Sequence, residues 1–174
     1  MRTTTAALGS AAFFLVAPGT FAGLIPWLIT GWQTRQPLPH WLIAQIVGLL
    51  LVGLGLVPVV SAFVEFVKAG GTPAPVAAPR RLVVSGFNRY VRNPMYVGLL
   101  AVIVGQALLF GSLGTVIYAA AMWAVTASFV RWYEEPTLRR QFGTEYQVYR
   151  QAVPAWCPRL RPWTPSPRKA DTTR

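Results

Sequence analysis

The chain carries one cysteine, Cys157, one histidine, His40, and five carboxylate side chains among its 174 residues. A single cysteine forms no internal disulfide and offers no paired spacing for a metal. A single histidine excludes a His-rich zinc or iron cluster, so no metal site is expected. Charged residues make up 12% of the chain and hydrophobic ones 53%, against roughly a quarter charged in a soluble domain. That shortage of charge points to lipid as the surrounding solvent. The charge that is there is one-sided, with 16 Lys and Arg giving a net +11. Such an excess fits nucleic acid, an anionic membrane surface or an acidic ligand, and the positions of the charges decide among them.

Residues 6–29 and 41–64 are each 24 residues long without an ionisable side chain, and a helix needs about 20 apolar residues to cross the hydrocarbon core. Arg2 ahead of the first run and a cleavage-like stretch at 20–22 suggest a signal peptide. The apolar region of such a peptide is shorter, about 7–15 residues, and an uncleaved span is expected. A third span, 94–110, turns through Gly111 and Ser112 into a fourth, 113–130. So short a connection joins antiparallel neighbours, and the third span needs protein neighbours or a thinned bilayer. The expected fold is therefore all-α: a polytopic membrane protein of four transmembrane helices with short amphipathic helices on the cytoplasmic side at its C-terminal end. Its expected parts are a two-helix hairpin over 1–67, a cofactor region over 68–162 and a disordered basic tail over 163–174.

With four spans, one face of the membrane receives 15 basic residues and the other only Arg35. Cytoplasmic loops are enriched in Lys and Arg, which predicts both termini in the cytoplasm. Topology and attraction to anionic headgroups account for the net charge, and nucleic acid is not needed. Pro18, Pro26 and Pro58 are expected to kink helices that neighbours then stabilise. Gly19 with Gly23, and the group Gly48, Gly53, Gly55, are expected at close helix contacts rather than in a nucleotide loop.

The unusual residues lie on the cytoplasmic side. After an irregular stretch from Lys68, with GTPAP at 71–75, the apolar residues Leu82, Val83 and Val84 lead into GFNRYVRNPMYVG at 86–98. Asn93 is a preferred N-cap, and Pro94 at the first helical position loses no needed donor. Arg89, Tyr90, Arg92 and Tyr96 surround that helix start. Free amides with guanidinium groups make an anion site; equally, the arginines fit snorkelling topology signals and the tyrosines an interfacial belt. At the end of the fourth span, Arg131, Trp132 and Tyr133 precede Glu134 and Glu135. One reading has Glu135 capping a helix that starts at Pro136, with Glu134 paired to Arg131; the other is a cation site, and the two are compatible. A short helix over 137–142 is expected to stop at Gly143. A second, from Thr144 with Gln147 as its capping partner, carries Tyr146, Tyr149 and Val153 on one apolar face. The last twenty residues read as an irregular basic tail without a core.

A basic helix start suits a carboxylate or phosphate, paired glutamates suit an ammonium or sulfonium, and Tyr90, Tyr96, Tyr133 and Tyr149 offer aromatic surface. S-adenosylmethionine has all of these features, and a zwitterionic lipid headgroup fits as well. Here a resemblance enters. GFNRYVRNPMYVG at 86–98 followed by EEPTLRRQFGTEYQVYRQAVPAW at 134–156 resembles the isoprenylcysteine carboxyl methyltransferase family, itself similar to the membrane phospholipid methyltransferases. The GTPAP stretch and the Leu82–Val83 pair look like its bacterial members, which implies a bacterial inner membrane. The resemblance covers roughly residues 66–162. It implies a methyltransferase dependent on S-adenosylmethionine, with Arg92, Asn93, Pro94 and Tyr96 matching the family's Arg-His/Asn-Pro-x-Tyr element and Glu134 and Glu135 its paired glutamates. Asn93 stands where many relatives have His, so a role needing imidazole is absent, and Ala155 replaces a commonly seen Arg.

On that basis Glu134 and Glu135 are expected on the ammonium or sulfonium side of the cofactor, Arg92 with the Asn93–Pro94 start on its carboxylate or adenosine, and Tyr96 and Tyr90 alongside. Arg89 or Arg131 is expected to orient an acidic acceptor, and Glu135 is placed next to the reacting groups. The partner is a lipophilic or lipid-linked acceptor entering from the membrane lipids; carboxylate O-methylation, lipid amine N-methylation and thiol S-methylation all remain open. Two non-enzymatic readings compete: a small transporter, although every span is uncharged through its middle, and a lipid-binding adaptor using the basic tail.

Overall fold

The computed structural model describes residues 16–68, 82 and 84–164. The first part of the expected first span, the 71–75 stretch, Val83 and the tail beyond 164 lie outside the described residues. What is described is helical, with no strand among the described residues. Helix α1 is Val16–Thr30 and α2 is Leu42–Lys68. A 3-10 turn, Gly86–Arg89, precedes α3, Pro94–Phe110. Helix α4, Leu113–Phe129, continues through a π-turn, Val130–Glu134, into α5, Glu135–Ala152.

Helices α2 and α3 lie antiparallel and touch backbone to backbone. Gly48 faces Gly105 and Gly55 faces Gly98, and a Cβ on any of the four would sit 2.5–2.6 Å from the opposing carbonyl oxygen. Small residues at this spacing are what let apolar helices approach closely. The expectation for Gly48 and Gly55 therefore holds, while Gly53, Gly19 and Gly23 have open space where a Cβ would go. Those last two are corrected: instead of a helix contact they line a cleft of about 480 Å³ between α1, α2 and α3, walled by apolar side chains and by Gln106.

The end of α3 shows how this fold finishes its backbone hydrogen bonds in apolar surroundings. The last four carbonyls of a helix have no partner within it. Here the Ala107 carbonyl accepts from the amides of Gly111 and Ser112, the Leu108 carbonyl from Trp41 Nε1 and the Leu109 carbonyl from Gln45 Nε2. The Phe110 carbonyl accepts from the Arg35 amide at 3.0 Å. Gly111 adopts φ +62°, a left-handed conformation that glycine enters at no steric cost, and Ser112 Oγ then accepts from the Thr115 amide at 3.2 Å to start α4. The expected tight turn is built this way.

A second case is inside α1. The Ile25 amide bonds five residues back to the Thr20 carbonyl, which leaves the Phe21 carbonyl unused. Pro26 has no amide, which leaves the Ala22 carbonyl unused as well. Both find side chains on other helices: Tyr118 Oη donates to Phe21 at 2.9 Å, and Gln106 Nε2 to Ala22 at 2.6 Å. Gln106, a polar residue in the middle of an apolar helix, is buried for this reason. Neighbours do stabilise the proline break, as expected.

Two helices are long and apolar enough to cross a membrane, Leu42–Ala62 and the continuous helix Leu113–Ala152, whose apolar part ends near Val130; Val16–Thr30 and Pro94–Phe110 are apolar but shorter. Leu42, Ile43, Leu50 and Leu54 of α2 stand outward, each more than half exposed. An apolar helix left uncovered by its own protein is one that lipid covers.

Beyond Val130 the chain changes character. Gly143 holds φ 49° and ψ −122°, a non-helical conformation that divides α5 into two helical halves meeting at a kink, where the sequence places the stop. After the kink Tyr146, Tyr149 and Val153 are buried, packed with Leu82, Val84, Leu138, Phe142 and Trp163. The expectation of a coreless tail is corrected over 155–164. That stretch is irregular but anchored, because the Arg159 amide donates to the Tyr90 carbonyl and the Trp163 amide to the Arg89 carbonyl. The Trp163 ring rests 5.6 Å from that of Tyr149.

Candidate functional site

The site forms where the entry to α3, the start of α5 and the returning tail meet. Arg92 is its hub. Its amide donates to the Pro154 carbonyl at 2.9 Å and its Nε to the Val153 carbonyl at 3.0 Å. Its Nη1 reaches Glu135 Oε1 at 2.7 Å and Tyr146 Oη at 3.1 Å. Glu135 is shared, since Arg150 Nε lies 3.3 Å from its other oxygen. Burial pushes the Tyr146 hydroxyl above its ordinary value, although the Arg92 cation pulls it down. Tyr146 stays a neutral hydroxyl that accepts from Arg92.

Glu134 and Glu135 are adjacent yet do different things, and the π-turn is the cause. The Glu135 amide bonds five residues back to Val130, which adds one residue to the turn and accommodates Pro136. π-turns of this kind recur at functional sites. Neither bland expectation survives. Glu135 does not cap a helix beginning at Pro136, because the helix runs on through it. Glu134 is not paired with Arg131: its Oε2 is enclosed and has no hydrogen-bond partner among the described residues. Glu134 lies past the apolar part of α4. Loss of water, reinforced by the Glu135 carboxylate, raises its carboxyl above the ordinary value, with Arg92 opposing. An enclosed carboxylate oxygen without a donor is costly. The Tyr96 hydroxyl is close enough to feel the Glu134 charge.

The other predicted residues are dispersed around this core. Asn93 holds the N-cap position and Pro94 the first turn of α3. The Asn93 side chain does not cap, however, and donates instead to the Ala155 carbonyl at 3.2 Å. Arg89 is turned to the tail, with Nε on the Trp163 carbonyl and Nη2 on Thr164 Oγ1. Tyr90 is half-buried and tied to the tail through its carbonyl. Arg131 is exposed at the end of α4, and Tyr133 stacks on Phe129 at 5.1 Å. Arg92, Tyr96, Glu134 and Glu135 therefore come together, while Arg89 and Arg131 stand outside them.

Residues 43–145, from the start of α2 to just past the α5 kink, match the family described as phospholipid methyltransferase. The chain belongs to the phospholipid methyltransferase family. Among curated relatives, the protein-S-isoprenylcysteine O-methyltransferase of Schizosaccharomyces pombe is 32% identical over 98 residues, 53% of this chain and 41% of that protein. Protein-S-isoprenylcysteine O-methyltransferase B of Arabidopsis thaliana is 31% identical over 125 residues, 68% of this chain and 61% of that protein. A probable protein-S-isoprenylcysteine O-methyltransferase of Oryza sativa subsp. japonica is 37% identical over 79 residues, 45% and 41% of the two chains. The chain thus spans between about two fifths and three fifths of these relatives. No solved structure matches it. With uncovered apolar helices, this member of the phospholipid methyltransferase family is an all-helical membrane protein.

Sequence reasoning missed three residues of this family member's site. Tyr146 was assigned to an apolar face, yet its hydroxyl meets Arg92. Arg139 and Arg150 line a polar cavity with Arg92. Their spacing about Gly143 is the signal in hindsight, since a glycine bend folds the two halves of α5 toward one another.

Proposed function

We propose that the protein is an integral-membrane methyltransferase that uses S-adenosylmethionine to methylate a lipophilic acceptor, with an isoprenylcysteine-like carboxylate as the acceptor group. The observation that carries this reading is the enclosed, unpartnered Oε2 of Glu134 beside the Arg92–Glu135 pair, in a chain of this family. The fit to the cofactor is chemical: a desolvated carboxylate asks for a cation, and the methyl donor brings an ammonium and a sulfonium.

When bound, the donor supplies a methyl group on positively charged sulfur. Transfer of that methyl group to the acceptor's carboxylate oxygen would be a direct displacement. No residue of the protein becomes covalently attached, so its work is alignment and exclusion of water. Glu134 holds the cationic side, Tyr96 packs beside it, and Glu135 acts by fixing Arg92. Arg89 is engaged with the tail, so exposed Arg131, at the membrane boundary, is the guanidinium that meets an acidic acceptor.

The arrangement in the membrane follows from the same reading: four spans, with α1 and α3 completing the set beside α2 and α4, and both ends in the cytoplasm. The distribution of basic residues, 15 on one face against Arg35 on the other, supports it. A second acceptor class is favoured by the family's own description, namely the amine of a phospholipid headgroup.

Calorimetric titration of S-adenosylmethionine and S-adenosylhomocysteine into purified protein in nanodiscs tests the reading. Saturable binding is expected, weakened about 100-fold in Glu134→Gln, in keeping with loss of a charged contact worth about 1.5–3 kcal/mol. Folded wild-type protein that binds neither compound would sink the proposal. Methyl-label transfer to a prenylcysteine analogue and to phosphatidylethanolamine then separates the two acceptors.

A further inference from the structure

A polar pocket of about 410 Å³ opens beside the Arg92–Glu135 ion pair, lined by Arg92, Arg139, Gln147, Arg150 and Gln151. Its charge is unbalanced. Glu135 is divided between Arg92 at 2.7 Å and Arg150 at 3.3 Å, which offsets one of the three guanidinium charges. Glu134 also acts on Arg92, and even so the positive groups outnumber the negative ones. Gln147, Arg150 and Gln151 are three and four residues apart and share one helical face. The bend at Gly143 brings Arg139, from the preceding half of α5, to the same cavity. The fork of Arg92 is largely engaged, on Val153, Glu135 and Tyr146. Arg139 is exposed, and the Arg150 side chain retains 38% of its accessible surface.

Guanidinium forks present only donors in planar pairs, the geometry that carboxylate and phosphate groups accept, and the amide groups of neighbouring glutamines add further N–H donors. We propose that this pocket is the seat of a compact oxyanion, held chiefly by Arg139 and Arg150 with Gln147 and Gln151 beside them. Two sources share that chemistry. One is the carboxylate of the methyl donor's amino-acid end, which rests on the methyltransferase reading. The other is the phosphate of a phospholipid headgroup at the membrane surface, which does not.

The test uses full-length protein in neutral detergent and three probes: S-adenosylhomocysteine, its decarboxylated analogue, and short-chain phosphatidylglycerol. Each is titrated into wild type, Arg139→Gln, Arg150→Gln and Arg139→Lys. For the cofactor carboxylate, each Gln variant weakens S-adenosylhomocysteine about ten-fold, the analogue binds wild type and variants alike, and the Lys variant recovers part of the loss. For the headgroup phosphate, the Gln variants weaken phosphatidylglycerol alone. Either pattern keeps the site and names its source. Wild-type protein that binds phosphatidylglycerol through Arg139 but ignores the adenosyl compound would remove the methyltransferase reading and leave the oxyanion seat. Unchanged affinity for all three probes in Gln variants that unfold at the wild-type temperature, or a wild type that binds none of them, overturns it.

Discussion

The segments Thr20–Leu24 and Val130–Glu134 share one backbone device, a π-turn with proline two residues beyond its end, at Pro26 and Pro136. In α1 the freed carbonyls of Phe21 and Ala22 face apolar surroundings, and Tyr118 and Gln106 reach across from other helices to meet them. The corresponding carbonyls of the second turn belong to Arg131 and Trp132, both exposed residues past the apolar part of α4. What the second turn leaves unmet is a side chain, the enclosed oxygen of Glu134. Where the surroundings are apolar the fold completes an unsatisfied group internally; past the apolar part of α4 it leaves one open. An unmet buried group calls for a partner from outside the described side chains, and the proposed methyl donor would supply one.

The sharpest way to break this comparison is Glu134→Gln. Removing the charge is expected to weaken the methyl donor about 100-fold while leaving thermal stability equal or higher, because an enclosed carboxylate without a donor opposes folding. If titration instead finds the affinity intact and calorimetric unfolding finds the protein destabilised, the second π-turn is a structural element like the first.

The converse holds for α1. Gln106→Leu strips the Ala22 carbonyl of its donor and is expected to cost about 1–2 kcal/mol, the range seen for polar contacts between membrane helices, with donor affinity unchanged. Pro26→Ala restores a backbone amide that can bond Ala22 directly. The double variant Pro26→Ala/Gln106→Leu should therefore lose less stability than Gln106→Leu alone. Reversible unfolding in mixed micelles measures the cycle, and simple additivity would show that Gln106 serves some other purpose.

These two turns also mark what the sequence could and could not disclose. The start of α3 at Asn93–Pro94 and its end at Gly111–Ser112 were legible because both are local, set by proline, glycine and a hydroxyl within a few residues. The pairing of Glu134 and Glu135 at a membrane boundary was legible as an oddity. Their separate fates were not. Pro136 read as a helix start, since proline at a first turn is the common case, whereas here it follows a π-turn within a continuous helix. The partner of Glu135, Arg92, lies 43 residues away, and that of Ala22, Gln106, lies 84 away. Only the packing of α1, α3 and α4 brings such pairs together. The stretch 155–164 was misread for the same reason: its composition is that of a disordered segment, but the Arg159 and Trp163 amides bond to the backbone of 89–90, which no local pattern announces. The family resemblance singled out the clusters around Arg92 and Glu135, which meet in the fold, while Arg139 and Arg150 needed the fold.

A smaller effect sharpens the comparison through pH. Glu134 has its carboxyl raised above the ordinary 4.5 by loss of water and by Glu135, against the pull of Arg92. Across the interval from that ordinary value up to the raised one, the folded protein holds more protons than the unfolded chain. Stability therefore falls as pH rises through the interval and levels off above it. Binding runs the other way. A cationic donor prefers ionised Glu134, so its affinity is expected to climb as pH rises through the raised value, with a proton released on binding. Titrations in buffers of different ionisation enthalpy would count that proton. In Glu134→Gln the release should vanish and the stability curve should lose this slope, whereas Gln106→Leu should shift stability by the same amount at every pH. A proton release that survives in Glu134→Gln would show that the proton comes from a group other than Glu134, and the second π-turn would lose its claim to the cationic donor.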